Sequence, residues 1–394
     1  MKKIIFIYVV AMLVVSHGHA SESQNFTFSN YVRAGYDDNV YQSGNDELQS
    51  GYISDILNLS GKILFSNRSD LLLYWQPEVR YRFETEDKKL ILQDFYASYQ
   101  NALSQSTSLN ISDRFRYSEL DYNQTTEDRN NFSEASTEYG ENNLQGALIH
   151  QLSDRNNLNV GASVVNRRND NDSANANRTR DFDRYGFSGL FLRNLDQDKQ
   201  SVSLGYQHSN HEVDNDGGSM QSDTLFIGYD RVFNPRFIST MQLGYTDAEI
   251  EQSESGGSSD SSNPFLELGL NYDVSERTRL NSSFSHSLRY TTRTAYNAEK
   301  RSDLLVSLTH DLTAKINLAV SVSYILSDFD VDFRRPGGDN NSVEDRSTIV
   351  NIRSEYRINR NHFVEAGYQG RFRDAEISAD YERNRIYLGW KLQL

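Results

Sequence analysis

The chain has no cysteine, only four prolines and no apolar run of 18 residues after Val15. Without cysteine there is no disulfide, no thiol chemistry and no lipid-modified cysteine anchor. Without a long apolar run, no helix beyond the first residues spans a membrane. That test does not reach β-barrels, in which only alternate residues face lipid. Cations are in deficit: 40 Lys and Arg stand against 55 Asp and Glu, a formal charge of −15. This balance speaks against a nucleic-acid partner. A mean hydropathy of −0.69, taken alone, suits a soluble acidic protein.

Catalytic signatures are missing too. His150, His208, His211, His286, His310 and His362 are scattered, with no metal-ligand spacing among them. Gly186-Phe187-Ser188-Gly189 lacks the second spacer of a nucleophile elbow. Gly61-Lys62 is a lone pair and not a phosphate loop. The sequence therefore predicts neither an enzyme nor a cofactor. A barrel hydrolase built from residues distant in sequence ranks last among the readings kept.

What is present begins with a leader. Lys2 and Lys3 precede a 12-residue apolar stretch, Ile4 to Val15, and Gly18-His19-Ala20 offers small residues for cleavage. The expectation is a cleaved signal peptide over 1–20 and a single barrel domain over 21–394. Losing two lysines leaves 38 basic against 55 acidic residues, a charge near −17.

From residue 25 onward, segments of period-two alternation are separated by turn residues. Phe26, Phe28, Val32, Ala34 and Tyr36 share one face of the first. Leu71, Leu73, Trp75, Val79, Tyr81 and Phe83 share one face of the third, with Gln76, Glu78, Arg80 and Arg82 opposite. The pattern continues through Leu225, Ile227, Tyr229 and Phe233, and through Leu280, Phe284, Leu288 and Tyr290. Asp113 interrupts the stripe of Leu109, Ile111, Phe115 and Tyr117, which predicts a bulge or a shifted register there.

Every second connection is tight, and the others are mostly long and polar: 37–50, 118–140, 167–182, 211–222, 249–263, 291–300, 328–345 and 373–384. Short periplasmic turns alternating with long extracellular loops mark a transmembrane antiparallel up-and-down β-barrel. The count is about 18 strands, with 16 as the alternative. The 24 Tyr and 20 Phe fit interfacial girdles. A soluble sandwich or solenoid predicts no such alternation of loop lengths. No N-terminal plug and no periplasmic repeat domain is expected.

The last ten residues, Arg385 to Leu394, alternate fully. Ile386, Leu388, Trp390, Leu392 and Leu394 are predicted to face lipid, and the strand to pair with Phe26 to Tyr36. Tyr387, Gly389, Leu392 and Leu394 resemble the assembly signal of bacterial outer-membrane barrels, with Leu where Phe is commonest. Outer-membrane lipid, lipopolysaccharide and the barrel-assembly machinery are the partners this implies.

Gly35-Tyr36-Asp37-Asp38-Asn39-Val40-Tyr41 after the first strand, with hairpin turns such as Asn67 to Asp70 and Ser275 to Thr278, resembles a known family. It is that of the outer-membrane β-barrel porins associated with exopolysaccharide and capsule biosynthesis clusters. The resemblance implies export or handling of surface polysaccharide, with the polysaccharide and its biosynthesis and export proteins as further partners. A diffusion porin for small anionic solutes is the alternative, and a structural or adhesive barrel without an open pore comes third.

With the apolar stripes outward, Arg33, Arg80, Arg82, Arg114, Arg116, Arg289, Arg353, Arg371 and Arg385 are predicted to line the lumen. Glu78, Glu267, Asp273, Glu355 and Glu365 join them. This is a hydrated, charged wall or a basic ladder for an anionic solute. In the second case the acidic 118–140 loop would form the opposite wall of a constriction. Asp328, Asp330 and Asp332 share one side of an extended segment, where a divalent cation could bridge them. The competing reading is a solvated acidic loop.

Overall fold

The computed structural model describes residues 25–45, 47–85, 88–119, 138–169, 181–196, 199–214, 218–251, 258–290, 298–329, 343–376 and 380–394. The first third of the fold comprises β1 (Asn25–Asp37), β2 (Ser50–Ser66), β3 (Ser69–Arg82), β4 (Lys89–Ala102), β5 (Thr107–Glu119) and β6 (Glu138–Ser153). Next come β7 (Asn156–Asn169), β8 (Phe182–Asp196), β9 (Gln200–Val213), β10 (Gly218–Asn234), β11 (Phe237–Glu251) and β12 (Ser258–Ser275). The last are β13 (Thr278–Tyr290), β14 (Ala298–Asp311), β15 (Ile316–Phe329), β16 (Val343–Arg357), β17 (His362–Ala375) and β18 (Tyr381–Gln393). Each pairs antiparallel with its neighbours in sequence, and β18 pairs with β1 to close an 18-stranded barrel. The closing register runs from Asp37↔Arg385 to Ser29↔Gln393. Leu394 and Phe28 complete it by exchanging backbone hydrogen bonds.

The outer surface is the apolar stripe. Leu225, Ile227, Tyr245, Leu204, Ile386 and Leu388 are all exposed, which is tolerable only if hydrocarbon replaces water there. Tyr36, Tyr81, Phe83, Tyr185, Tyr206 and Tyr324 ring the wall near its extracellular edge. At Asp113 the ladders to β4 and β6 run through without a bulge or shift (Asp113↔Ala97, Asp113↔Leu144). The carboxylate stays on the outer face and accepts a hydrogen bond from the Asn142 amide at 2.8 Å. A cross-strand polar partner, not a backbone irregularity, accommodates it.

Several strands run beyond the ends that the apolar stripes predicted. β12 begins at Ser258, inside the expected 249–263 loop, and β10 begins at Gly218, inside 211–222. Backbone pairing needs no apolar side chain, so ladders continue where the lipid-facing stripe has stopped.

The periplasmic turns share one chemistry. Ser66, Ser153, Asn234, Ser275, Thr313 and Asn359 each accept, through a side-chain oxygen, the backbone N–H two residues on. These are the local turns that Ser, Thr and Asn side chains favour. A carbonyl in each turn then accepts an N–H from the next hairpin. Asn194 donates to Arg155, Val232 to Lys199, Asp273 to Arg236, Asp311 to Arg277 and Arg357 to Lys315, at 2.7–2.9 Å. The periplasmic rim is thus laced turn to turn.

Candidate functional site in the lumen

Inward side chains follow directly from alternation, because neighbours on a strand face opposite ways. All nine arginines expected in the lumen lie on inward positions or on an element folded into it. They are mostly paired with carboxylates of the same wall. Arg33 Nη2 lies 2.8 Å from Glu365 Oε1, and Arg80 Nη2 2.7 Å from Glu78 Oε1. Arg114 grips Asp94 with two nitrogens, at 2.9 and 2.6 Å. Arg116 reaches Glu141 Oε1 at 2.9 Å, and Arg167 takes the other oxygen. Arg289 meets Asp303 at 3.4 Å. Arg82 is buried opposite Tyr52. Among the described residues most of the basic ladder is balanced within the wall. Residues 120–137 of the acidic 118–140 loop lie outside the described residues.

Among the described residues, two elements fold into the extracellular mouth. The first is the segment after β1. Asp37 receives Arg383 Nε at 2.8 Å and Arg385 Nη2 at 3.0 Å. Asp38 receives the Asn384 backbone N–H at 2.6 Å and its side-chain amide at 2.9 Å. Asn39 donates to the Glu382 carbonyl at 3.0 Å, and Asn39 and Val40 are fully buried. Gln42, at a φ of 54°, turns its carbonyl oxygen to Arg371 Nη1 at 2.8 Å and to the Tyr381 hydroxyl at 2.5 Å. The Asp-Asp-Asn element of the sequence is therefore a clasp between the first strand and the last. Gly35 belongs to it: a Cβ there would meet the Tyr52 ring and the Ile386 carbonyl at 2.6 Å.

The second is the extracellular end of the β13 and β14 strands, Ser287 to Tyr290 and Ala298. The ladder between β12 and β13 stops at Leu266↔His286, although β12 continues to Ser258 against β11. Two residues beyond the stop stands Pro264, which has no N–H to offer a neighbour. Its carbonyl accepts the Asn263 amide at 2.9 Å, and the same amide nitrogen sits 3.1 Å from His286 Nε2. His286 Nδ1 lies 2.8 Å from Ser302 Oγ. A side-chain bridge thus stands in for the missing ladder.

Beyond it, Ser287 to Tyr290 pair only with β14. Leu288 and Ala298 pack against Met220, Ala248, Ile250 and Phe329, residues of the inner face. Tyr290 stacks on His211 of β9, and His211 on Phe182, with centroids 4.5 Å apart in both pairs. Four inter-strand spacings, about 19 Å along the wall, separate β9 from β13. A 4.5 Å ring contact therefore crosses the mouth as a chord. Leu288 and Tyr290 do not face lipid as the periodicity predicted. Past Pro264 the hairpin leaves the wall, and its outward face becomes the face of a plug.

Below the mouth lies a polar cavity of about 300 Å3. Arg33, Arg353, Arg385, Tyr52 and Tyr387 supply its charged and aromatic lining; Asn351, Gln369 and Ser321 add amide and hydroxyl groups. The Arg33 guanidinium lies over the Tyr387 ring at 4.8 Å. Gly389 makes room for it, since a Cβ there would meet Arg33 Cγ at 2.9 Å. Two residues of the expected assembly signal thus shape the lumen. Leu392 and Leu394 lie at the β1–β18 closure, Leu392 opposite Asn30. Arg353 is exposed in the lumen and has no ion-pair partner among the described residues.

Asp328 faces outward opposite Lys300, while Asp330 and Asp332 lie outside the described residues. Among the described residues no group of three or more His, Asp or Glu could hold a metal ion. Sequence periodicity missed Asp37, Gln42, Arg383, His211 and Tyr290 as parts of the mouth. Pro264 inside an otherwise regular strand was the signal available.

Residues 242–394 match the family described as "Putative beta-barrel porin 2". The match covers the C-terminal part of a closed antiparallel 18-stranded β-barrel. No curated protein matches it by sequence. Among solved structures, it resembles OccK2 of Pseudomonas aeruginosa in complex with glucuronate, at 10% identity and a TM-score of 0.51. The match covers 95% of this chain and 99% of that one. It also resembles the ferric enterobactin receptor of the same organism at 8% identity and a TM-score of 0.50, over 95% and 81% of the two chains. At such identities the chain shares the barrel fold with these proteins and no more.

Proposed function

We propose that this barrel is a gated, non-enzymatic passage for anionic, hydroxyl-rich solutes, with acidic sugars of surface polysaccharide as the substrate class. The cavity under the mouth carries this reading. Three guanidinium groups there match carboxylates, and amides and hydroxyls meet the remaining oxygens. Arg353, with no ion-pair partner on the wall, is the group available to a passing anion. The inward-folded ends of β13 and β14 make passage conditional on their movement. Polysaccharide export itself rests on the resemblance of the Asp-Asp-Asn element and hairpin turns. Two measurements test the proposal. Planar-bilayer recordings should show current carried by glucuronate and blocked little by glucose. A deletion strain should lose surface polysaccharide. Anion-indifferent conductance would sink the substrate class, and unchanged polysaccharide would leave a general porin.

A further inference from the structure

The periplasmic rim holds cations of a different kind from those in the lumen. In six of the eight periplasmic turns, the residue whose carbonyl accepts the next hairpin's N–H is basic: Arg68, Arg155, Lys199, Arg236, Arg277 and Lys315. The lacing fixes these backbones at one height around the barrel. All six side chains are exposed. Between β6 and β11 two more cations join from the lipid-facing wall. Arg193 is on the outer face of β8 and Arg231 on that of β10, where its guanidinium lies over the Phe233 ring at 4.5 Å.

The resulting arc is Arg155, Arg193, Lys199, Arg231 and Arg236. None has an ion-pair partner among the described residues, although most lumen arginines do. Nearby carboxylates are few: Asp154 is at a turn tip, Asp196 is on a lumen-side position, and Asp230 is hydrogen-bonded to Ser201 across the lumen side. Just above the arc the wall is apolar, with Leu152, Phe191, Leu195 and Phe233 exposed. The opposite end of the same wall carries outward Asp223, Asp247, Glu249 and Asp260.

We infer that this arc is a binding surface for anionic phospholipid headgroups of the inner leaflet, their acyl chains lying on the apolar wall above. Long basic side chains at such an edge extend to the phosphate level, and a cation near an anionic surface adds about fivefold to affinity. The full chain in nanodiscs of phosphatidylcholine, alone or mixed with phosphatidylglycerol or cardiolipin, tests this by native mass spectrometry of retained lipid. Wild type should keep the anionic lipids in preference, and high salt should abolish the preference. The variant Arg155→Gln, Arg193→Gln, Lys199→Gln, Arg231→Gln, Arg236→Gln should retain at least about fivefold less anionic lipid while its heat-modifiable mobility is unchanged. Equal retention of both lipid classes by wild type overturns the inference. So does a folded variant with the wild-type preference, and either result would direct attention to an acidic periplasmic protein.

Discussion

The two halves of the lumen stand on the same strands and have opposite characters. On β2 the inward Ser50, Tyr52, Ser54 and Ile56 are buried, whereas Lys62 near the periplasm is exposed. On β3 the inward Glu78, Arg80 and Arg82 are buried and Leu72 is exposed. The alternation is identical in both halves. Among the described residues, the segment after β1 and the ends of β13 and β14 fold into the extracellular half. Charged pairs there are removed from water, so they act as structural bonds whose loss is costly. Charged pairs in the lower half remain solvated and contribute little. Costly charge pairs therefore lie above and tolerance of mutation lies below.

Four experiments would break or sharpen this contrast. The largest effect is expected from removing Leu392 to Leu394, which ends the β1–β18 closure. Such a chain should yield no heat-modifiable barrel, and a normal one would contradict the closure. Next is Asp37→Ala, which strands the buried Arg383 and Arg385. Breaking a buried pair costs about 3–5 kcal/mol, measured as a shift in the denaturant midpoint. Asp70→Ala, which breaks the 3.4 Å pair with the exposed Lys62 near the periplasm, should cost under about 1 kcal/mol. Equal costs would erase the distinction between the halves.

The third is Leu288→Ala with Tyr290→Ala. The cavity left by the leucine costs about 2–5 kcal/mol, and single-channel conductance should rise as the strand ends loosen. Unaltered conductance in the folded variant would place the closure elsewhere. Smallest for stability is Arg353→Glu, expected within about 0.5 kcal/mol because the side chain is exposed. Its reversal potential should nevertheless move toward cation preference. An unmoved potential would remove Arg353 from the solute path.

Strand number, order and inward arginines were legible because lipid-facing alternation is a repeated, local signal. The same signal misplaced Leu288 and Tyr290. Period two reports which side of a strand a residue occupies, and not whether the strand remains in the wall. The Asp113 interruption looked like a backbone fault because its partner, Asn142, comes from another strand and cannot be paired in a one-dimensional reading. The clasp was visible only as a short motif. Its carboxylates acquire meaning from Arg383, Asn384 and Arg385, which are brought opposite them by closure of the barrel. Ion pairs between strands depend on register, which alternation constrains and does not settle.

That clasp also bears on the order of events during folding. Asp37 and Arg383 are 346 positions apart in the chain, so their bond waits for the last strand to arrive. Asp38, Asn39 and Gln42 of the segment after β1 bond to Arg371, Tyr381, Glu382 and Asn384, all on β17 and β18. Until the final hairpin docks, that segment lacks these bonds. Sealing the wall and fastening this side of the mouth are then a single step.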